Sequence, residues 1–395
     1  MADQQNSQKS VLFLGSGATV GSGIKKNGKK LPSDGEFFSE SKGLDKILPG
    51  WKKKYPTLNL VREQGIVSET GLFKTWNELF IYRSFARAGI IREEKNTLDK
   101  FMNLAHHPWS DSESWRKKHY RWQFHIRRSD WPREYYLAEL AIWDLRVLVK
   151  EVYSNLKPQN EIYIKFWNGL KTKYGEICAV VNLNYDTTFD KAIGNSDFYY
   201  PGCKKSSENK WPLIRPHGSL DWTSQNKFSK PHLDWNCRWT ETCNNTPLKK
   251  VGYRSDKNNS DLLDFHQPLI VPPAMFKEEV VGTSTTPGLI NGVLWHQWKQ
   301  MEEALRECDH WIFVGISFAS GDDHLLALLK RYYKDTNNEK KKICCSLYNC
   351  DKTPVEKLEK AGIKKEAICK HHIDEGECVD TFNDKKCVHS LNYEN

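Results

Sequence analysis

The sequence predicts an α/β fold: a parallel sheet of the Rossmann kind, interrupted by a large helical insertion and a smaller loop-rich one. Three observations predict it. The apolar run Val11–Leu14 leads straight into a glycine-rich turn, Gly15–Thr19. Strand-sized apolar runs recur in the second half of the chain with helical stretches between them, the strand–helix–strand rhythm of parallel pairing. From about Gly43 to Leu170 helical patterns dominate instead.

Val11–Leu14 reads as a short buried strand, because four apolar residues in a row suit a strand covered on both faces. In the turn that follows, Gly15, Ser16, Gly17, Ala18 and Thr19 are small enough to let a phosphate approach backbone N–H groups. The turn lacks the full spaced glycine fingerprint of a dinucleotide fold and the Gly-Lys-Ser/Thr ending of a P-loop, so a tight strand-to-helix turn accounts for the same glycines. The insertion carries helical patterns at Thr75–Ala88 and Tyr135–Val152, where Leu137, Leu140, Ala141, Trp143, Leu145, Leu148 and Val149 form a broad apolar surface. Trp109, Trp115, Trp122 and Trp131 lie among Arg116, Arg121, Arg127 and Arg128, a mixture that suits packing between helices or subunits and also base stacking.

Strand-like runs follow at Ile177–Leu183, Pro212–Ile214, Pro268–Val271, Trp311–Ile316 and Ile343–Leu347, with helices expected over Leu294–Arg306 and Asp323–Tyr333. Gln225–His266, rich in Asn, Lys, Asp and Ser, interrupts the rhythm as a loop-rich excursion. The expected organisation is a nucleotide-binding domain from residues 1–42 and 171–395, a helical insertion over 43–170, and a small insertion over 225–266.

Composition sets bounds on function. The chain has 395 residues, 38% of them hydrophobic, and a mean hydropathy of −0.69, which describes a polar-surfaced protein with room for two or more cores. Apolar runs are strand-sized, far below the ~20 residues of a membrane span. The polar stretch Met1–Ser10 argues against export, so a cytoplasmic protein is expected. Eleven cysteines without regular spacing read as reduced thiols, and no paired CxxC supports a metal. The net charge of +9 could steer anions, but it is too diffuse to establish a nucleic-acid footprint.

Open parallel sheets present ligands at the carboxyl ends of their strands, and five polar or glycine segments follow apolar runs: Gly15–Thr19, Asn184–Asp186, His217–Ser219, Gly315–Ser317 and Asn349–Asp351. Read alone, Asn184 and Asp186 also fit a turn after a strand, and His217 a loop cap.

In this order the segments resemble the sirtuin family, and more closely its divergent prokaryotic NAD-hydrolysing branch used in antiphage defence. Leu14–Thr19 resembles the family's first glycine motif, Leu183-Asn184-Tyr185-Asp186 its Asn-x-Asp element, and Pro216-His217-Gly218-Ser219 its catalytic His-Gly element. Pro268–Pro273 is similar to a segment common in the divergent branch, and Val314–Ser317 to the Gly-x-Ser turn. Asn349 stands at the ribose-contacting strand end, and Gly376-Glu377-Cys378 resembles the adenine-side loop. The resemblance covers residues 11–38 and roughly 175–382.

It implies a sirtuin-type domain that binds NAD through Gly15, Ser16, Gly17, Ala18, Thr19, Gly315, Ser317, Asn349 and Cys378. Asn184 would orient a water, Asp186 would hold the nicotinamide carboxamide, and His217 would accept a proton, its reference pKa of about 6.5 leaving a neutral fraction at physiological pH. Leu183 stands where deacylating sirtuins carry Gln, and their zinc CxxC pairs are missing, which favours water as the acceptor. The expected activity is NAD glycohydrolysis by an effector that depletes NAD, in a homo-oligomer with a HerA-type ring ATPase as possible partner. A non-catalytic NAD- or ADP-ribose-binding subunit and a nucleic-acid-binding protein are the competing readings.

Overall fold

The computed structural model describes residues 9–32, 36–39, 43–64, 79, 138, 141, 144, 145, 148–153, 156, 157, 160–174, 176–194, 197–201, 210–223, 268–270, 293–318, 322–338, 343–349 and 353–372. The chain divides into two compact units. One comprises Met1–Ser33, Asn155–Ser219 and Phe276–Asn395; the other comprises Asp34–Ser154 and Leu220–Met275.

The first unit is built around β1 (Lys9–Leu14), whose residues Val11 to Leu14 are fully buried. Burial on both faces explains the unbroken apolar run: alternation would place polar groups against covering helices. β1 pairs in parallel with β4 (Glu176–Asn182) on one side and β9 (His310–Val314) on the other. Beyond β4 lie β6 (Trp211–Ile214) and β5 (Phe198–Tyr199); beyond β9 lie β10 (Cys344–Asn349) and β11 (Ile368–His372). The order β11-β10-β9-β1-β4-β6-β5 is that of a Rossmann-like sheet with an extra edge strand, and every pairing in it is parallel. Chain direction across the sheet reverses at β1, where loops from neighbouring strands diverge and leave a crevice.

Helices bring the strands into this order. The 15-residue α5 (Asn160–Tyr174) precedes β4 and packs on α6 (Thr188–Ile193). Its Trp167 meets Phe189 and Trp211 edge-on, at 6.1 and 5.3 Å between ring centres, the arrangement that ring quadrupoles favour. α5 lies in the same compact unit as the sheet. α7 (Val293–Glu307) leads into β9, α8 (Asp323–Asn338) follows it, and α9 (Thr353–Lys360) joins β10 to β11.

Buried polar groups in the sheet are paired. Ser10 donates to the Tyr174 carbonyl at 3.1 Å, and His310 shares its Nε2 with the Ser346 hydroxyl at 2.9 Å. The lysines at 25–26 and 29–30 form the antiparallel hairpin β2 (Lys25–Lys26) and β3 (Lys29–Lys30). Its turn, Asn27-Gly28, has φ of 52° and 74°, the left-handed pair that matches strand twist.

In the second unit, α2 (Leu44–Ile47), α3 (Trp51–Lys54) and α4 (Pro56–Gln64) pack around buried Trp51, Tyr55 and Leu58. Arg62 donates to the Phe38 carbonyl and lies over the rings of Phe38 and Trp51, and Asp144 accepts from the Leu58 amide in the first turn of α4. β8 (Pro268–Ile270) pairs with β7 (Gly218–Thr223) in a separate two-stranded sheet, not with the parallel sheet that its apolar run suggested. The small insertion at 225–266, the tryptophans at 109–131 and Cys378 lie outside the described residues.

Candidate active site

Register fixes the site. Leu14 stands opposite both Asn182 and Val314, and Ile214 opposite Val181, so β1, β4, β6 and β9 end together. The residues just past those ends share one rim, at the point where strand order reverses.

Two turns close on each other there. Gly15 N–H donates to Val314 O and Gly17 N–H to Gly315 O, both at 2.9 Å, and Ala18 N–H donates to Gly15 O at 2.9 Å. A Cβ on Gly17 would stand 2.8 Å from Gly315 Cα; one on Gly315, whose φ is +62°, would stand 2.2 Å from Ala18 N. Only glycine permits that approach. The sequence left these glycines between a phosphate cradle and a tight turn; the structure shows a third use, packing one strand-end turn against another. Ser16 and Ser317 are exposed on the two turns.

From β4 comes the polar chain. Asn184 donates through Nδ2 to Gly15 O at 2.9 Å and to Thr19 Oγ1 at 3.1 Å. The Thr19 hydroxyl donates onward to Asp186 Oδ2 at 2.9 Å. Asp186 Oδ1 accepts from the Thr188 amide at 3.0 Å and from the Thr188 hydroxyl. With both Nδ2 protons directed at protein acceptors, Oδ1 is the atom with which Asn184 can hold a water. Tyr163, on α5, reaches Thr188 Oγ1 at 3.4 Å. Burial first, and then the Asp186 carboxylate, push its phenol up to about 12, so it stays a neutral donor.

His217 sits in the turn from β6 to β7, closed by Gly218 N–H donating to Arg215 O at 2.9 Å. Its Nδ1 lies 3.2 Å from Leu183 O. A carbonyl can only accept, so Nδ1 carries the proton and Nε2 is the basic nitrogen of the neutral ring. Trp298 of α7 donates its indole N–H to Pro216 O at 2.9 Å, and its ring lies 6.3 Å from that of His217 and 4.6 Å from that of His324.

Arg215 was not singled out in the sequence. Its side chain and that of Asp190 are fully buried and paired at 2.5 Å. An arginine beside a proline reads as a surface residue; the available signal was its place between an apolar run and the His-Gly pair.

The structure thus brings Gly15, Ser16, Gly17, Ala18, Thr19, Asn184, Asp186, His217, Gly315 and Ser317 to one sheet edge. Asn349 ends β10, two strands from β1, with its backbone opposite His372. Among the described residues no group of three or more His, Cys, Asp or Glu could hold a metal, and no helix is long and apolar enough to cross a membrane.

No family model matches the chain, and no curated protein does. Solved structures of Sir2 proteins do. One Sir2 enzyme structure is 14% identical, covering 95% of this chain and 91% of the other at a TM-score of 0.37. A Sir2 homologue in complex with NAD is 12% identical over 96% of this chain and 89% of its own, at a TM-score of 0.36. A Sir2 homologue mutant in complex with ADP-ribose is 11% identical over 97% and 95%, also at 0.36.

Proposed function

We propose that this chain is a sirtuin-type NAD glycohydrolase, cleaving NAD to nicotinamide and ADP-ribose. The observation that carries the reading is the convergence of Asn184, Asp186 and His217 beside the interlocked glycine turns, at the strand-order reversal where open α/β sheets take nucleotides.

Breaking the nicotinamide–ribose bond leaves positive charge on the ribose C1′, so the protein must orient a nucleophile and take up its proton. Asn184 Oδ1 accepts a hydrogen bond from water and turns an oxygen lone pair toward C1′. As the C1′–O bond forms, the C1′–N bond breaks with its electron pair passing to the pyridinium nitrogen, and His217 Nε2 takes the water proton. Asp186 orients the carboxamide. Ser16, Thr19, Gly315, Ser317, Asn349 and Cys378 contact the remainder of NAD in this reading.

The motif order supports a place in antiphage defence, with the chain acting in the cytoplasm as the NAD-depleting subunit of a homo-oligomer joined to a HerA-type ring ATPase. A second reading, a non-catalytic NAD or ADP-ribose binder, draws on one observation: Asn184 Nδ2 and both Asp186 carboxylate oxygens are engaged by protein groups.

Nicotinamide release from NAD, followed by chromatography with and without the ring ATPase, tests the first reading. Turnover by the wild type and its loss in Asn184→Ala and His217→Ala are expected. Full activity in both variants would remove the proposed site; an inactive wild type in both states that still binds ADP-ribose would replace hydrolysis by the second reading.

A further inference from the structure

Between Asn184 and His217 lies a charge that the hydrolysis step does not use. Arg215 leaves the end of β6 and runs under the Asn184–Asp186 segment with no solvent exposure. Nη1 donates to Asn184 O at 2.9 Å, and Nη2 donates to Asp186 O at 3.0 Å. Nη2 also reaches Asp190 Oδ1 and Oδ2 at 2.6 and 2.5 Å. Asp190 lies in the first turn of α6 and accepts from Tyr200 Oη at 3.0 Å. The arginine's own backbone is held too, its N–H donating to Gln297 Oε1 at 2.8 Å.

A buried ion pair is costly to desolvate, and apolar residues of similar volume commonly serve stability as well, so stability alone gives little reason for this one. Its geometry gives a better reason. The guanidinium is a rigid planar fork, and here two of its nitrogens fix the carbonyls of the two residues whose side chains carry the proposed chemistry. Asp190 holds the fork in orientation, and Gln297 holds the strand end from which it projects.

We propose that Arg215, oriented by Asp190, is the positioning residue of this site: it sets the backbone of Asn184–Asp186 and so where the Asn184 amide and the Asp186 carboxylate lie. Neither residue touches substrate. The kinetic part of this inference rests on the hydrolase reading; the backbone part does not.

The test compares wild type, Arg215→Lys and the double variant Arg215→Met/Asp190→Leu. The double variant removes both charges and so leaves no uncompensated ion in the core; the lysine variant keeps Asp190 partnered but replaces the fork with a single nitrogen. In NAD turnover, kcat is expected to fall in the order wild type, lysine, double variant, by on the order of 10- to 100-fold at the end of the series, with KM rising in the same order as the Asp186 carboxylate shifts. Hydrogen exchange across residues 183–188, measured by mass spectrometry against the β1 and β9 segments, is expected to accelerate in the same order. Either folded variant with wild-type kcat and wild-type exchange at 183–188 overturns the proposal. If the wild type does not turn over NAD, the exchange series decides alone: local acceleration upholds the positioning role, and its absence rejects it.

Discussion

Replacing Gly315 by alanine tests how tightly the two turns interlock. At φ +62° an alanine carries a left-handed penalty of ~1–2 kcal/mol. Its Cβ would stand 2.2 Å from Ala18 N and 2.4 Å from Gly17 C, backbone atoms that move only if the turns part. Restoring an ordinary contact opens them by about 1 Å, enough to disrupt the bonds from Gly15 N to Val314 O and from Gly17 N to Gly315 O, at ~1 kcal/mol each. The expected loss is about 3–4 kcal/mol. Gly362→Ala supplies the control, because its φ is +91° but the nearest atom to a new Cβ is Lys330 Cε at 3.9 Å; it should lose only ~1–2 kcal/mol. Urea unfolding followed by circular dichroism, with midpoints compared at a shared slope, reads the difference. Two variants of equal stability would show that the contact between the turns is loose and would refute the interlock.

Tyr163 gives a pH signature. Its pKa rises from 10.0 to about 12 on folding, so the unfolded chain ionises first and binds fewer protons across that interval. Its contribution is intact below pH 10 and is lost as pH rises toward 12, about 2–3 kcal/mol in all; Tyr163→Phe should flatten that part of the urea-midpoint profile, and an unchanged slope would contradict the assignment. Asp190→Asn leaves the Arg215 charge buried without its ionic partner and should cost ~3–5 kcal/mol. Lys299→Gln breaks the exposed pair with Glu303 and should cost ~1 kcal/mol or less by the same urea assay; equal losses in the two would contradict the burial contrast.

What could be read from the sequence follows how locally each feature is encoded. β1, β4 and β9 are continuous apolar runs because they are covered on both faces, and such runs are visible without partners. β5 is a two-residue edge strand and β11 reads Ile-Cys-Lys-His-His; neither carries a period to detect. The Asn27-Gly28 hairpin had a strong local signal that its flanking lysines obscured. Pro268–Ile270 has strand composition, but composition does not name a partner, and the partner is β7.

Within the site, Asn184, Asp186 and His217 could be nominated because each follows an apolar run closely. Their hydrogen-bond economy could not, since it depends on Thr19 and Gly15 arriving from 165 or more residues away. Arg215 and Trp298 act through backbone carbonyls, and a sequence carries no mark of which carbonyl a side chain will find.

The central strand also has a consequence in time. β1 lies near the start of the chain, and one of its two neighbours, β9, begins at His310, which reaches back to Ser10 across 300 residues. A ribosome adding roughly 5–20 residues per second needs on the order of 15–60 s to travel between them. Throughout that interval the glycine turn after β1 has no opposing wall, so a nascent or truncated chain that stops before residue 310 lacks the crevice. For the proposed hydrolase, the late closing strand would withhold activity until β9 has been made.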